Sequence, residues 1–132
     1  MRGSGVMAGL VSRLIRSLES AKVGDVPLSM EELIILLKIA EHPGKSAGEY
    51  ADDVGLAQQT FSKRATFLAH GRHDAQGKGL VETVFDPRDA RRKFYFLTDA
   101  GKRLAMEILQ HIDAQAEEPP GINASAVPRR AR

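Results

Sequence analysis

Two Ser-x-x-Glu boxes constrain this chain more than any other feature. Ser29 stands three residues before Glu32, and Ser46 three before Glu49. In each box the hydroxyl can accept from the backbone N–H of the third helical residue, while that residue's carboxylate reaches back to the capping N–H. Each box therefore predicts the first turn of a helix. Pro43 and Gly44 stop the first helix, whose residues through Ile39 are apolar nearly all round, which places it in the middle of a core. The second is short, runs through Val54, and ends at Gly55 in a tight turn, after which another helix is expected from about Ala57 to His70. A short helix, a glycine turn and a second helix form the helix-turn-helix pattern, weak evidence by itself.

The flanks complete the order of elements. Met7, Leu10, Val11, Leu14, Ile15 and Leu18 recur at helical spacing and predict an amphipathic helix, closed near Gly24 to Pro27. The first five residues read as an expression scar and are left out of the fold argument. Strands are expected over 80–85 and 93–97, joined by a Pro-containing turn into a β-hairpin. Thr98 caps a last helix with Leu104, Ile108 and Ile112 on one stripe. The expected fold is mainly α with a small β-hairpin, a winged helix-turn-helix spanning residues 6–116, followed by a flexible tail over 117–132 rich in Pro, Ala and polar residues.

A length of 132 residues suits one domain. The absence of cysteine excludes disulfides and thiolate metal sites. The longest apolar run, residues 33–37, is far short of a membrane span, and a soluble, cytoplasmic protein is expected. Catalysis is not expected, because no Ser-His-Asp arrangement, phosphate loop or paired carboxylates stand out. His70, His73 and Asp74 lack a fourth ligand and a rigid support, so neither a metal nor another cofactor is expected. His42 and His111 read as surface residues.

The net charge of +2 decides little, but its distribution does. On a wheel of about 100° per residue, Phe61, Ala65 and Leu68 share one side of the helix after Gly55. Gln59, Ser62, Lys63, Thr66 and His70 share the other, with no carboxylate among them. Such a face suits phosphate and base edges, where a carboxylate would be repelled, although a solvated surface could show it too. In the hairpin, Phe94 and Phe96 point to one face and Tyr95 and Leu97 to the other. These side chains can anchor a ribbon whose tip projects Arg88, Arg91, Arg92 and Lys93. Arginine suits a minor groove, being planar and permanently charged. Asp86 and Asp89 are expected to cap the turn at Pro87, with Asp89 supporting the wing by orienting Arg91. A solvated turn with compensating charges is the alternative.

From Ser29 to about Leu109 the chain resembles the MarR family of winged-helix transcription regulators. The resemblance lies in Val54-Gly55-Leu56, Thr60-Phe61-Ser62-Lys63, Gly79-Leu80-Val81-Glu82, Asp86 to Lys93, and Phe96-Leu97-Thr98-Asp99-Ala100-Gly101. It implies a homodimer formed by the first and last helices, recognition helices in successive major grooves, and a wing arginine in the minor groove, a position Arg91 holds. The DNA-binding set expected is Gln58, Gln59, Thr60, Ser62, Lys63, Thr66, Arg72, Lys78, Arg88, Arg91, Arg92 and Lys93. Two departures stand out. Residues 69–78 make a longer, basic, Gly-rich loop in which Arg72 and Lys78 either meet phosphate or merely decorate the surface. Ala57 replaces a capping Ser, a loss of roughly 1 kcal/mol.

The expected function is sequence-specific binding of double-stranded DNA in transcription regulation, as a repressor occluding a promoter. A winged-helix module in phage or plasmid replication or partition, or a winged helix that contacts only protein, remain as alternatives. A small-molecule effector fits the resemblance, and nothing in the sequence identifies one.

Overall fold

The computed structural model of the chain describes residues 2–69, 78–115 and 117–123. In order, they form α1 (Arg2–Glu19), β1 (Lys22–Val23), β2 (Val26–Pro27), α2 (Met30–Glu41), α3 (Ala47–Val54), α4 (Gln58–Ala69), β3 (Val81–Asp86), β4 (Asp89–Leu97), α5 (Asp99–Ile112) and α6 (Pro120–Asn123). Both capping boxes are closed as expected. The Ser29 hydroxyl accepts from Glu32 N–H and the Glu32 carboxylate accepts from Ser29 N–H, and Ser46 and Glu49 repeat the arrangement. Gly55 ends α3 in the left-handed region, at φ 75°, where a side chain would strain the turn. His42 caps the end of α2 and is half exposed.

The core forms around α2. Ile35, Leu36 and Ile39 are wholly buried and meet Phe61, Ala65 and Leu68 from α4, Tyr95 and Leu97 from β4, and Leu104, Ala105 and Ile108 from α5. The periodicity assigned the inner face of α4 correctly. Helix α4 begins at Gln58 with Ala57 just outside it, and the Ala57 carbonyl accepts from Phe61 N–H.

Several expectations need correction. The turn after α1 is a small antiparallel hairpin, β1–β2, with Lys22 opposite Pro27 and Val23 opposite Val26. Strands of two residues are too short to show an alternation of period 2. The α1 helix already starts at Arg2, so the first five residues are not all outside the fold. Residues 117–123 do not fit a flexible tail. Here α6 lies against α2, with Gly121 so close that a Cβ would stand 2.6 Å from the carbonyl oxygens of Ile39 and Ala40, and Ile122 packs on the core. Leu104 and Ile108 face their own core at 8% and 2% exposure, so they are not available to a partner; Ile112, at 38%, is.

The wing is longer than expected on its return strand. Val81 pairs with Leu97, and the ladder continues to Phe85 opposite Lys93, where the register jumps to Asp86 opposite Asp89. Ala90, Arg91 and Arg92 therefore have no partner in the ladder.

Candidate nucleic-acid interface

Helix α4 and the wing are joined through the linker after α2. Tyr95 N–H donates to the Lys45 carbonyl at 3.1 Å, and Gly44 N–H donates to the Tyr95 carbonyl at 2.8 Å. The linker thus extends the wing ladder by a short stretch of backbone. Next to it the Tyr50, Phe61 and Tyr95 rings form a cluster. Tyr50 and Phe61 stack at 5.3 Å, and Tyr95 meets them edge-on at 6.2 and 5.5 Å. The Tyr50 hydroxyl donates to the His42 carbonyl at 2.6 Å and accepts from Lys45 N–H at 3.2 Å. Burial pushes the Tyr50 phenol up to about 12 and raises Tyr95 as well. One residue each from α3, α4 and β4 therefore packs the wing root against the helix-turn-helix.

Wing and helix-turn-helix enclose a cleft of about 510 Å³ bordered by Ser46, Gly48, Gln58, Ser62, Arg91 and Arg92, with Asp89, Lys93 and Tyr95. Gln58 lies over Gly48, where a Cβ would stand 3.3 Å from its side-chain oxygen. Ser62 is partly buried and borders the cleft beside Tyr95, so it lies at the wing root rather than on the open outer face of α4. Gln59 and Lys63 are exposed on the outer face of α4, with Thr60 and Thr66 partly so.

At the wing tip Asp86 accepts from Arg88 N–H at 2.8 Å, closing the turn over Pro87. Asp89 accepts from Arg91 N–H at 3.0 Å, and its carboxylate lies 3.3 Å from Arg91 Nε, the pairing the sequence suggested. The Arg91 side chain is 92% exposed. Arg88 is exposed too, whereas Lys93 is partly buried, its Nζ 6.0 Å from the Tyr95 ring centroid. Arg92 is less free than expected. Its guanidinium lies 5.3 Å from the Phe94 ring centroid, and its Nη2 is 3.8 Å from Glu49 Oε1 on α3.

Of the long loop, Arg72 lies outside the described residues, as do His70, His73 and Asp74. Lys78 is placed against α4, with its Nζ 4.8 Å above the Phe67 ring. Sequence reasoning missed Glu49 as a neighbour of Arg92, and it missed the 2.9 Å Arg64–Glu31 ion pair that ties α4 to α2. Neither pair is within one element, so no local spacing announces it. Among the described helices none is long and apolar enough to cross a membrane.

No family model matches the chain. It is 30% identical over 91 residues to the transcriptional regulator HosA of Escherichia coli O111:H-, a match covering 69% of this chain and 62% of that one. The chain thus spans less than two thirds of HosA. Among solved structures, MarR aligns with a TM-score of 0.58 at 21% identity, over 86% of this chain and 77% of that chain. RV1404 from Mycobacterium tuberculosis aligns at 0.66 and 15%, over 86% and 73%. Reduced AbfR bound to DNA aligns at 0.57 and 18%, over 88% and 76%. The geometry and these likenesses agree: the chain is a winged helix-turn-helix with the fold of the MarR-family transcription regulators.

Proposed function

We propose that the chain is a sequence-specific regulator of transcription that binds double-stranded DNA as a homodimer and represses by occluding a promoter. The observation that carries this reading is the common cleft, in which the start of α4 and the wing cations Arg91, Arg92 and Lys93 border one surface. A helix of this diameter fits a major groove, and its outer face presents Gln59, Lys63 and Thr66 without a carboxylate. With α4 seated there, the wing lies over the adjoining minor groove, where Arg91 meets a narrow, negatively charged channel. HosA is a transcriptional regulator and AbfR was solved on DNA, which supports the same use of the fold here.

Affinity for a duplex selected from random sequence, measured against scrambled duplex over a salt series, tests the reading. About six to ten phosphate contacts per dimer would lower affinity by roughly 10³ to 10⁵ between 50 and 200 mM salt. Equal affinity for both duplexes would remove the sequence-specific regulator; no binding to either would remove the DNA-binding function.

A further inference from the structure

Glu49 is the one carboxylate of α3 that meets the wing in an ion pair among the described residues, and it serves two partners at once. Its Oε1 accepts from Ser46 N–H at 2.9 Å and from the Ser46 hydroxyl at 3.0 Å, and the same oxygen is 3.8 Å from Arg92 Nη2. The Ser46 backbone N–H, ahead of its hydroxyl and the Arg92 charge, holds the Glu49 carboxyl below its ordinary range, so it stays ionised. Arg92 belongs to the stretch of β4 that lacks ladder partners, and it rests on Phe94. Its side chain is held by Glu49 and Phe94.

Both members of the pair are about half exposed, at 50% and 51%. At that exposure and distance an ion pair is worth little, so it does not act as a rigid brace. It is weak enough for a phosphate to displace. Because Arg92 borders the cleft proposed as the DNA surface, a duplex seated there meets its guanidinium.

We infer that Glu49 is a positioning residue that folds Arg92 back against α3 in the free protein, and so holds down the affinity for DNA of any sequence. The inference rests on the DNA-binding reading above. A phosphate must compete with Glu49 for the guanidinium, so the contact that Arg92 makes with any duplex is weakened by the pair it gives up.

Glu49→Gln separates this role from helix capping, since glutamine also serves as the third residue of a capping box. The test measures affinity of the wild type, Glu49→Gln, Arg92→Ala and the double variant for selected and scrambled duplexes over a salt series, with a thermal melt of each. Glu49→Gln should melt with the wild type, bind scrambled duplex about two- to fivefold more tightly per subunit, and steepen the salt slope by about one per subunit. With Arg92 already replaced by Ala, Glu49→Gln should change neither quantity. An unchanged salt slope in Glu49→Gln, or an equal gain with and without Arg92, overturns the inference while leaving the DNA-binding reading intact. If the wild type binds no duplex, the reading itself falls and takes the inference with it.

Discussion

Thr98 and Gly101 show how single residues hold the wing root to the core. The Thr98 hydroxyl accepts from Gly101 N–H at 3.1 Å and donates to the Gly79 carbonyl at 2.6 Å, while Thr98 N–H donates to the Leu80 carbonyl at 3.0 Å. Thr98 therefore caps α5 and ties it to the start of β3. A Cβ at Gly101 would overlap the Leu80 carbonyl oxygen, a backbone atom that cannot swing aside. Gly101→Ala is expected to cost about 1 to 3 kcal/mol or more and to lower the thermal midpoint by several degrees in a circular dichroism melt; an unchanged midpoint would show that α5 can shift freely. Asp89 tests the tip instead. Removing it takes away the acceptor for Arg91 N–H and the carboxylate beside Arg91 Nε. Simple charge counting predicts tighter DNA binding by Asp89→Ala. The orienting role predicts binding weaker by about two- to fivefold, the worth of an exposed pair, and a titration of the folded variant against its selected duplex decides between the two.

At the scale of elements, the parts legible in the sequence were those set by local chemistry. The Ser29–Glu32 and Ser46–Glu49 boxes, the Gly55 turn and the inward face of α4 each depend on residues a few positions apart. Contacts made by distant backbone were not legible. Lys45 and Gly44 bond to Tyr95 through main-chain atoms, which no side-chain pattern reveals, and α6 docks through a glycine within a segment that reads as polar. Of the site, the outer face of α4 and the Asp89–Arg91 pairing could be read beforehand, whereas the Glu49–Arg92 pair depends on how the wing folds over α3. The tyrosine cluster gives this level a direct test, since the chain has two tyrosines and no tryptophan. The folded-state phenol of Tyr50 is raised from 10.0 to about 12, so its burial stabilises the fold fully below pH 10, and that contribution is lost as pH rises through about 12. Tyr95 shifts in the same direction. Phenolate absorbance of the native protein should stay low at pH 10.5, where the urea-unfolded chain is largely ionised, and rise only as the fold is lost. Early ionisation of both tyrosines would contradict the buried cluster.

For the whole molecule, the question is what covers α1. This helix meets its own α5 through polar groups: the buried Ser17 hydroxyl donates to the Ile108 carbonyl at 2.7 Å, and Arg13 donates to the Ile112 carbonyl at 3.2 Å. Met7, Leu10, Val11, Leu14, Ile15 and Leu18 are left 44–61% exposed. A continuous apolar stripe of this kind is costly in water and usually marks an interface. A two-fold dimer would place the same stripe of a second copy against it, with Ile112 at the end of α5 joining from the rim. Leu104 and Ile108 have no part in that surface, because they already fill the core of their own chain. Leu14→Asp should therefore leave the fold intact while placing a charge in the middle of the interface. Sedimentation is expected to show a dimer for the wild type at micromolar concentration and a monomer for Leu14→Asp, both with the same helical circular dichroism. Two linked recognition helices bind half-sites one helical turn apart, about 10 bp. The monomeric variant, engaging one half-site at a time, should lose at least 10²-fold in affinity for the selected inverted repeat while binding an isolated half-site as the wild type does. A wild type that sediments as a monomer, and remains one on DNA, would leave the α1 stripe to some other partner and would remove the two-fold reading of the operator.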